Sequence, residues 1–139
     1  MEELKHTTEP RKEIKKIADE NFSRWNNALL TRNPAEIVKL YAEDATFLPT
    51  VSSEFKKGQS GAETYFKHFL GKNPIGKIIQ DEIQDLGLDC YLHSGMYNFE
   101  IDSDDNKQIV EARFSFVWKW DQQGGWRIIH HHSSIKPKE

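Results

Sequence analysis

The stretch Trp126-Arg127-Ile128-Ile129-His130-His131-His132-Ser133-Ser134 sets three imidazoles in succession near the end of the chain. An imidazole titrates near neutrality and binds zinc in its neutral form, so acid–base work, anion binding and metal ligation all come into question. In an extended strand side chains alternate, which puts His130 and His132 on one face and His131 on the other. A zinc ion held by His130 and His132 needs a third protein ligand. His93 and the carboxylates are of the right type, but nothing in their spacing brings them near, and no metal or cofactor is expected. The three histidines follow a strand pattern and are trailed by SSIKPKE, unlike an affinity tag. Two readings stand: one set faces a cavity and the other the back of the sheet or a subunit contact, or all three satisfy buried hydrogen bonds.

Other chemistry-bearing side chains are few. Arg113 lies in mid-strand beside Ser115 and Val117, where a covered guanidinium needs an anionic partner and an uncovered one pairs with Glu111. Asp44 in AEDATF is placed either to act as an acid or base or to close a turn. Tyr65, Tyr97 and Trp25 suit both a core and a pocket wall. No GxSxG, phosphate loop or dinucleotide fingerprint occurs, so covalent serine chemistry and nucleotide binding drop out.

The elements that must hold these residues read clearly. From Arg11 to Arg32, Ile14, Ile17, Phe22, Trp25 and Leu29 recur at helical spacing. Asn33-Pro34-Ala35-Glu36 has a capping residue, a proline at the first helical position and a glutamate at the third, and predicts a short second helix burying Ile37, Leu40 and Tyr41. Ser60-Gly61-Ala62-Glu63 repeats the capping spacing for a third helix ending at Gly71. Beyond Pro74, the segments 77–88, 90–101, 109–120 and 126–134 are rich in β-branched and aromatic residues, with the turns DSDDNK and DQQGG between the last three. They predict an antiparallel meander, and residues 45–48 a short strand at an edge. In the 109–120 strand, Ala112, Phe114, Phe116, Trp118 and Trp120 share one face and Glu111, Arg113, Ser115, Val117 and Lys119 the other. Helices followed by such a sheet make an α+β domain over residues 11–135, after a polar tail over residues 1–10.

The 139 residues, 37% apolar and 12% aromatic, suffice for one core. A net charge of -3 from 19 basic and 22 acidic residues, with no basic run, argues against nucleic acid. The lone Cys90 forms no internal disulfide and reads as a strand residue, and no apolar stretch reaches membrane-spanning length. A cytoplasmic protein is expected.

The motifs LYAEDATFLP, GAETYFKHF, SGMYNF, ARFSFVW and WRIIHHHSS, in this order from about Ile14 to Ser134, resemble the nuclear transport factor 2-like superfamily. More narrowly, the chain resembles its SnoaL-like branch and the association, or hub, domain of calcium/calmodulin-dependent protein kinase II. The resemblance implies a cone-shaped fold of three helices on a strongly bent antiparallel sheet. It implies a ligand-binding set of Tyr65, Tyr97, Arg113, His131 and His132, with Arg113 projecting into the cone and binding a small carboxylate more tightly when a neighbouring histidine is protonated. It further implies self-assembly into a dimer or larger ring, without kinase activity. A cofactor-free SnoaL-like cyclase, isomerase or dehydratase is the alternative, and a purely structural module with a vestigial cavity a third. The tryptophan-rich terminal hairpin, Trp118, Trp120 and Trp126, supports assembly through the outer sheet face.

Overall fold

The structure, a computed structural model, describes residues 10–50 and 52–138. The predicted tail therefore lies outside the described residues except for Pro10, with which helix α1 (Pro10–Leu30) begins. α1 lays Ala18, Phe22, Trp25 and Leu29 on the sheet, the stripe that its periodicity predicts. Arg32, in the left-handed region at φ 59, turns the chain into α2 (Pro34–Val38). There Asn33 caps as its sequence requires, its side chain accepting from the Ala35 N–H at 3.1 Å.

Helix α2 ends before Leu40 and Tyr41, which the sequence assigns to its buried face. The Leu40 carbonyl instead accepts from Ile128 N–H at 2.8 Å, and Tyr41 opens strand β1 (Tyr41–Leu48). A strand bond to the far end of the chain outweighs local helix propensity at these two positions. Helix α3 (Gly58–Phe69) starts two residues before the expected Ser60 cap. Gly58, at φ +72, makes the sharp entry from the two-residue strand β2 (Lys56–Lys57), and a Cβ there would lie 2.9 Å from the Glu43 carbonyl oxygen. A 3-10 turn (Leu70–Lys72) follows, and Asn73 at φ 53, rather than Gly71, supplies the left-handed cap.

Strands β3 (Ile75–Asp85), β4 (Cys90–Ser103), β5 (Asn106–Asp121) and β6 (Gly125–Ile135) form the expected meander. The six-stranded order is β2-β1-β6-β5-β4-β3, so β2 holds the edge expected for β1. β1 pairs with β6 in parallel, the one departure from an antiparallel sheet among the described residues. Register shifts near Ile79 and Ile129 mark bulges, the devices by which a sheet bends over its core. Gly95 permits the first of them, since a Cβ at that position would stand 2.0 Å from the Gln80 carbonyl oxygen.

The helices cover one face of this sheet. On it Ala112, Phe114, Phe116 and Trp118 are buried as the alternation predicts, joined by Tyr91, Tyr97, Phe99, Ile128 and His131. Trp120 continues the parity but lies beyond the helical cover, 44% exposed. Trp118 is fully buried in this core and Trp126 packs edge-on to Tyr91, so these tryptophans do not furnish the outer face, as their number had implied. Trp25 is the hub, in contact with Phe22, Tyr97, Phe99, Phe116 and His131 rings. Truncating such a side chain costs about 3–5 kcal/mol.

Candidate functional site

The five predicted ligand residues divide between the two faces of the sheet. His131, Tyr97 and Tyr65 meet inside the cone, whereas Arg113 and His132 lie on the outer face. The expectation that Arg113 projects into the cone is corrected by strand parity: it stands between the buried Ala112 and Phe114 and is itself exposed. Its guanidinium donates to the Ser134 hydroxyl at 3.4 Å, a long bond, and Glu111 pairs instead with Lys136 at 3.5 Å.

Inside the cone a chain of polar groups crosses an aromatic interior. Trp25 Nε1–H donates to the Tyr41 hydroxyl at 3.2 Å, and Tyr41 lies 2.8 Å from His131 Nδ1. His131 Nε2 lies 3.3 Å from the Tyr97 hydroxyl, Tyr97 donates to Ser133 Oγ at 2.6 Å, and Ser133 meets Thr50 Oγ1. Tyr97 gives its one hydroxyl proton to Ser133 and so can only accept from His131 Nε2–H, which in a neutral imidazole leaves Nδ1 as the acceptor. Tyr41 accepts from Trp25 and gives its own proton to Nδ1. Nε2 therefore carries the imidazole proton and donates to Tyr97, whose proton goes to Ser133.

The electrostatics agree with this order. Burial holds the His131 imidazole well below its usual pKa, with smaller contributions from His130 and His132, so the ring is neutral near pH 7. Burial likewise raises the phenols of Tyr41, Tyr97 and Tyr65. The His131 ring also stacks on Phe116 at 4.0 Å and on Phe47 at 4.9 Å. The space left among Thr50, Tyr65, Tyr97, Phe99, His131 and Ser133 is about 10 Å³, room for one water at most. Tyr65, only partly buried, closes this end by donating to the Thr50 carbonyl at 3.1 Å.

On the outer face, Arg113, Ser115, His132 and Ser134 line a shallow cleft of about 200 Å³. A guanidinium, an imidazole and two hydroxyls without a carboxylate among them present donors to an anion. His130 is outward too, its Nδ1 2.6 Å from Thr46 Oγ1, and burial followed by His132 lowers its pKa. The two open readings of the histidines thus both hold in part. His131 satisfies buried hydrogen bonds, while His130 and His132 occupy the back of the sheet. Among the described residues no three histidine, cysteine or carboxylate side chains gather as for a metal.

Sequence reasoning missed Tyr41, Thr50 and Ser133, and it missed His93. That imidazole is fully buried, with Nε2 2.7 Å from Asp81 Oδ2, its ring edge-on to Phe114, and Nδ1 without a partner. The alternation of Tyr91, His93 and Tyr97 along β4 is a signal that places it inward; nothing local points to Asp81. Asp44 lies outside the cone, exposed on β1 in a surface cleft.

No helix among the described residues is long and apolar enough to cross a membrane. Comparison with known proteins bears on the fold and family. The family described as calcium/calmodulin dependent protein kinase II association domain matches residues 11–137. A Xanthomonas campestris structure assigned to that family is 39% identical, over 88% of this chain and 87% of the other, with a TM-score of 0.84. A nuclear transport factor 2-like superfamily protein of Salmonella enterica is 23% identical, over 92% and 94% of the two chains, at a TM-score of 0.77. A Caulobacter vibrioides protein with a cystatin-like fold is 15% identical, over 90% and 91%, at 0.72. Comparison with curated proteins gives no match. With its α+β architecture and nearly its whole length matched, the chain belongs to the calcium/calmodulin dependent protein kinase II association domain family, and it shares the fold of nuclear transport factor 2-like proteins.

Proposed function

We propose that this chain is a self-assembling association domain, packing through the outer face of its sheet, with a small-carboxylate site at Arg113 and His132. The observation that carries the reading is the one-sided cover of the sheet. Across β4, β5, β6 and β1, the row Leu92, Val117, His130 and Thr46 faces outward, flanked by Met96 and Ser94, and none of these is fully buried in the single chain. Half-covered apolar side chains among small polar ones are the texture of a contact surface. The matched family is one of association domains, which favours a second copy as the cover. An outer face packed on its own copy is an isologous contact.

The carboxylate part of the proposal rests on the donor set of the cleft. A guanidinium fork binds a carboxylate through paired hydrogen bonds, and a protonated His132 adds to the attraction. Tyr65, Tyr97 and His131 are then the wall of a nearly filled cone, and they line a ligand space only if Tyr65 swings aside. Acid–base catalysis in the cone has less support, because His131 is engaged at both nitrogens and held neutral.

Sedimentation of the purified chain tests assembly, with multiples of 16.2 kDa expected and a monomer at tens of micromolar overturning the reading. Calorimetric titration with acetate and longer carboxylates tests the cleft. Binding is expected in the wild type and to be largely lost in Arg113→Ala; equal binding by that variant overturns the assignment.

A further inference from the structure

A gap in the register of the sheet opens a cleft away from the cone. β1 pairs with β6 at Tyr41 and Ile128 and again at Thr46 and His130, so the residues from Ala42 to Ala45 stand opposite the single residue Ile129. Ile129 is passed over on its other side as well, where Trp118 pairs with Ile128 and Val117 with His130. A run of residues facing one cannot keep a regular ladder, and irregularities of this kind recur beside binding and active sites. Between β1 and the β5–β6 hairpin the resulting cleft measures about 1150 Å³, ample for a small ligand. Ala42, Ile129 and the exposed Trp120 give it apolar surface.

Charges of opposite sign stand on its two walls. Lys119 and Arg127 lie on the hairpin wall and Glu43 and Asp44 on the β1 wall, and among the described residues none of the four forms an ion pair. The third carboxylate of the cleft, Asp121, is committed to the hairpin turn, accepting from Gln123 N–H at 3.0 Å. Arg127 is held in place: its guanidinium packs on Gly124, where a Cβ has no room, and its Nε is buried without a partner. A buried donor left unpaired is destabilising, so a fixed guanidinium in this state is poised for an acceptor from outside the chain. Cations alone would suit a simple anion. Walls of both signs on either side of an apolar surface suit a molecule with a carboxylate at one end and an ammonium at the other.

We infer that the cleft between β1 and the β5–β6 hairpin binds a short peptide by its two free termini. The peptide carboxylate meets Arg127 and Lys119, its ammonium meets Glu43 and Asp44, and an apolar side chain between them lies on Trp120 and Ile129. A free amino acid carries the same charges, but a short peptide better fills a cleft of this volume. The site shares no residue with the Arg113–His132 cleft of the outer face and requires no second copy of the chain.

Calorimetric titration with a panel of tripeptides of apolar central residue, each free, N-acetylated and C-amidated, tests it, while the Trp120 indole N–H resonance reports where they bind. Free tripeptides are expected to bind and to shift that resonance. Blocking either terminus is expected to weaken binding about tenfold or more, the loss of one charge-assisted hydrogen bond. Arg127→Gln, folded by circular dichroism, should bind the free peptide no better than its amide, and Glu43→Gln/Asp44→Asn should bind it no better than its acetylated form. Failure of every free tripeptide to move the Trp120 resonance at millimolar concentration overturns the inference, and so does equal binding of free and blocked forms. A folded Arg127→Gln that still discriminates against the amide overturns it too. The blocked peptides probe the wild type itself, so the inference stays open to refutation where a variant does not fold.

Discussion

Tyr41 Oη stands 2.8 Å from His131 Nδ1, and this bond joins the first residue of β1 to the middle of β6 across the floor of the cone. It lies at the point where the only parallel strand pair of the described sheet is formed. The parallel pairing of β1 and the proton order of the interior are therefore coupled through one phenol.

Tyr41→Phe keeps the ring and its packing but leaves Trp25 Nε1–H and His131 Nδ1 without partners. A loss of about 1–3 kcal/mol in urea unfolding is expected. Nitrogen chemical shifts in the wild type are expected to show His131 as the Nε2–H tautomer near neutral pH; an Nδ1–H tautomer contradicts the hydrogen-bond order.

The depressed pKa of His131 has a defined sign. The unfolded chain takes up a proton at about pH 6.5 that the folded chain refuses. This contribution to stability is complete above that pH and is lost as pH falls below it, down through the folded pKa. Thermal unfolding followed from mildly alkaline to mildly acidic buffer should show the decline, and His131→Phe should flatten it.

Asp81 holds His93 at the edge of the sheet. Asp81→Ala leaves both nitrogens of a fully buried imidazole unpaired, at a cost of about 1–3 kcal/mol. Asp81→Asn, which keeps an acceptor, should recover much of it in the same denaturation assay. Equal losses in the two variants would show that the bond contributes nothing.

Gly95→Ala sets a methyl against the Gln80 carbonyl at the β3 bulge. An overpacking loss of about 1–3 kcal/mol is expected, since the neighbour is backbone and cannot swing away. An unchanged melting temperature contradicts the bulge geometry.

Periodicity made α1 and the β4–β6 meander legible, because both elements bury one face over many residues and the signal accumulates. It failed at Leu40 and Tyr41, where two residues with helical spacing are captured by a strand from the far end of the chain. The cone's polar chain was half legible: alternation separates His131 from its neighbours, yet which set turns inward depends on the bulge near Ile129 and on α1 covering one face. Arg113 shows the same limit from the other side. Its neighbours Ala112 and Phe114 fix its direction once the covered face is known, and family resemblance pointed the opposite way. The partnership of Asp81 with His93 joins two strands across twelve residues of sequence and has no local pattern at all.

The central claim is that the outer face of β4, β5 and β6 is covered by a second copy. Its most direct test is sedimentation of Val117→Arg beside the wild type at equal concentration, with circular dichroism to confirm the fold. Val117 sits mid-row on that face, half-covered, and an arginine there adds bulk and charge without entering the core. The account predicts that the wild type sediments as a multiple of 16.2 kDa and that the variant loses its outer-face contact and falls to a smaller species. A variant that is folded and keeps the wild-type mass contradicts it.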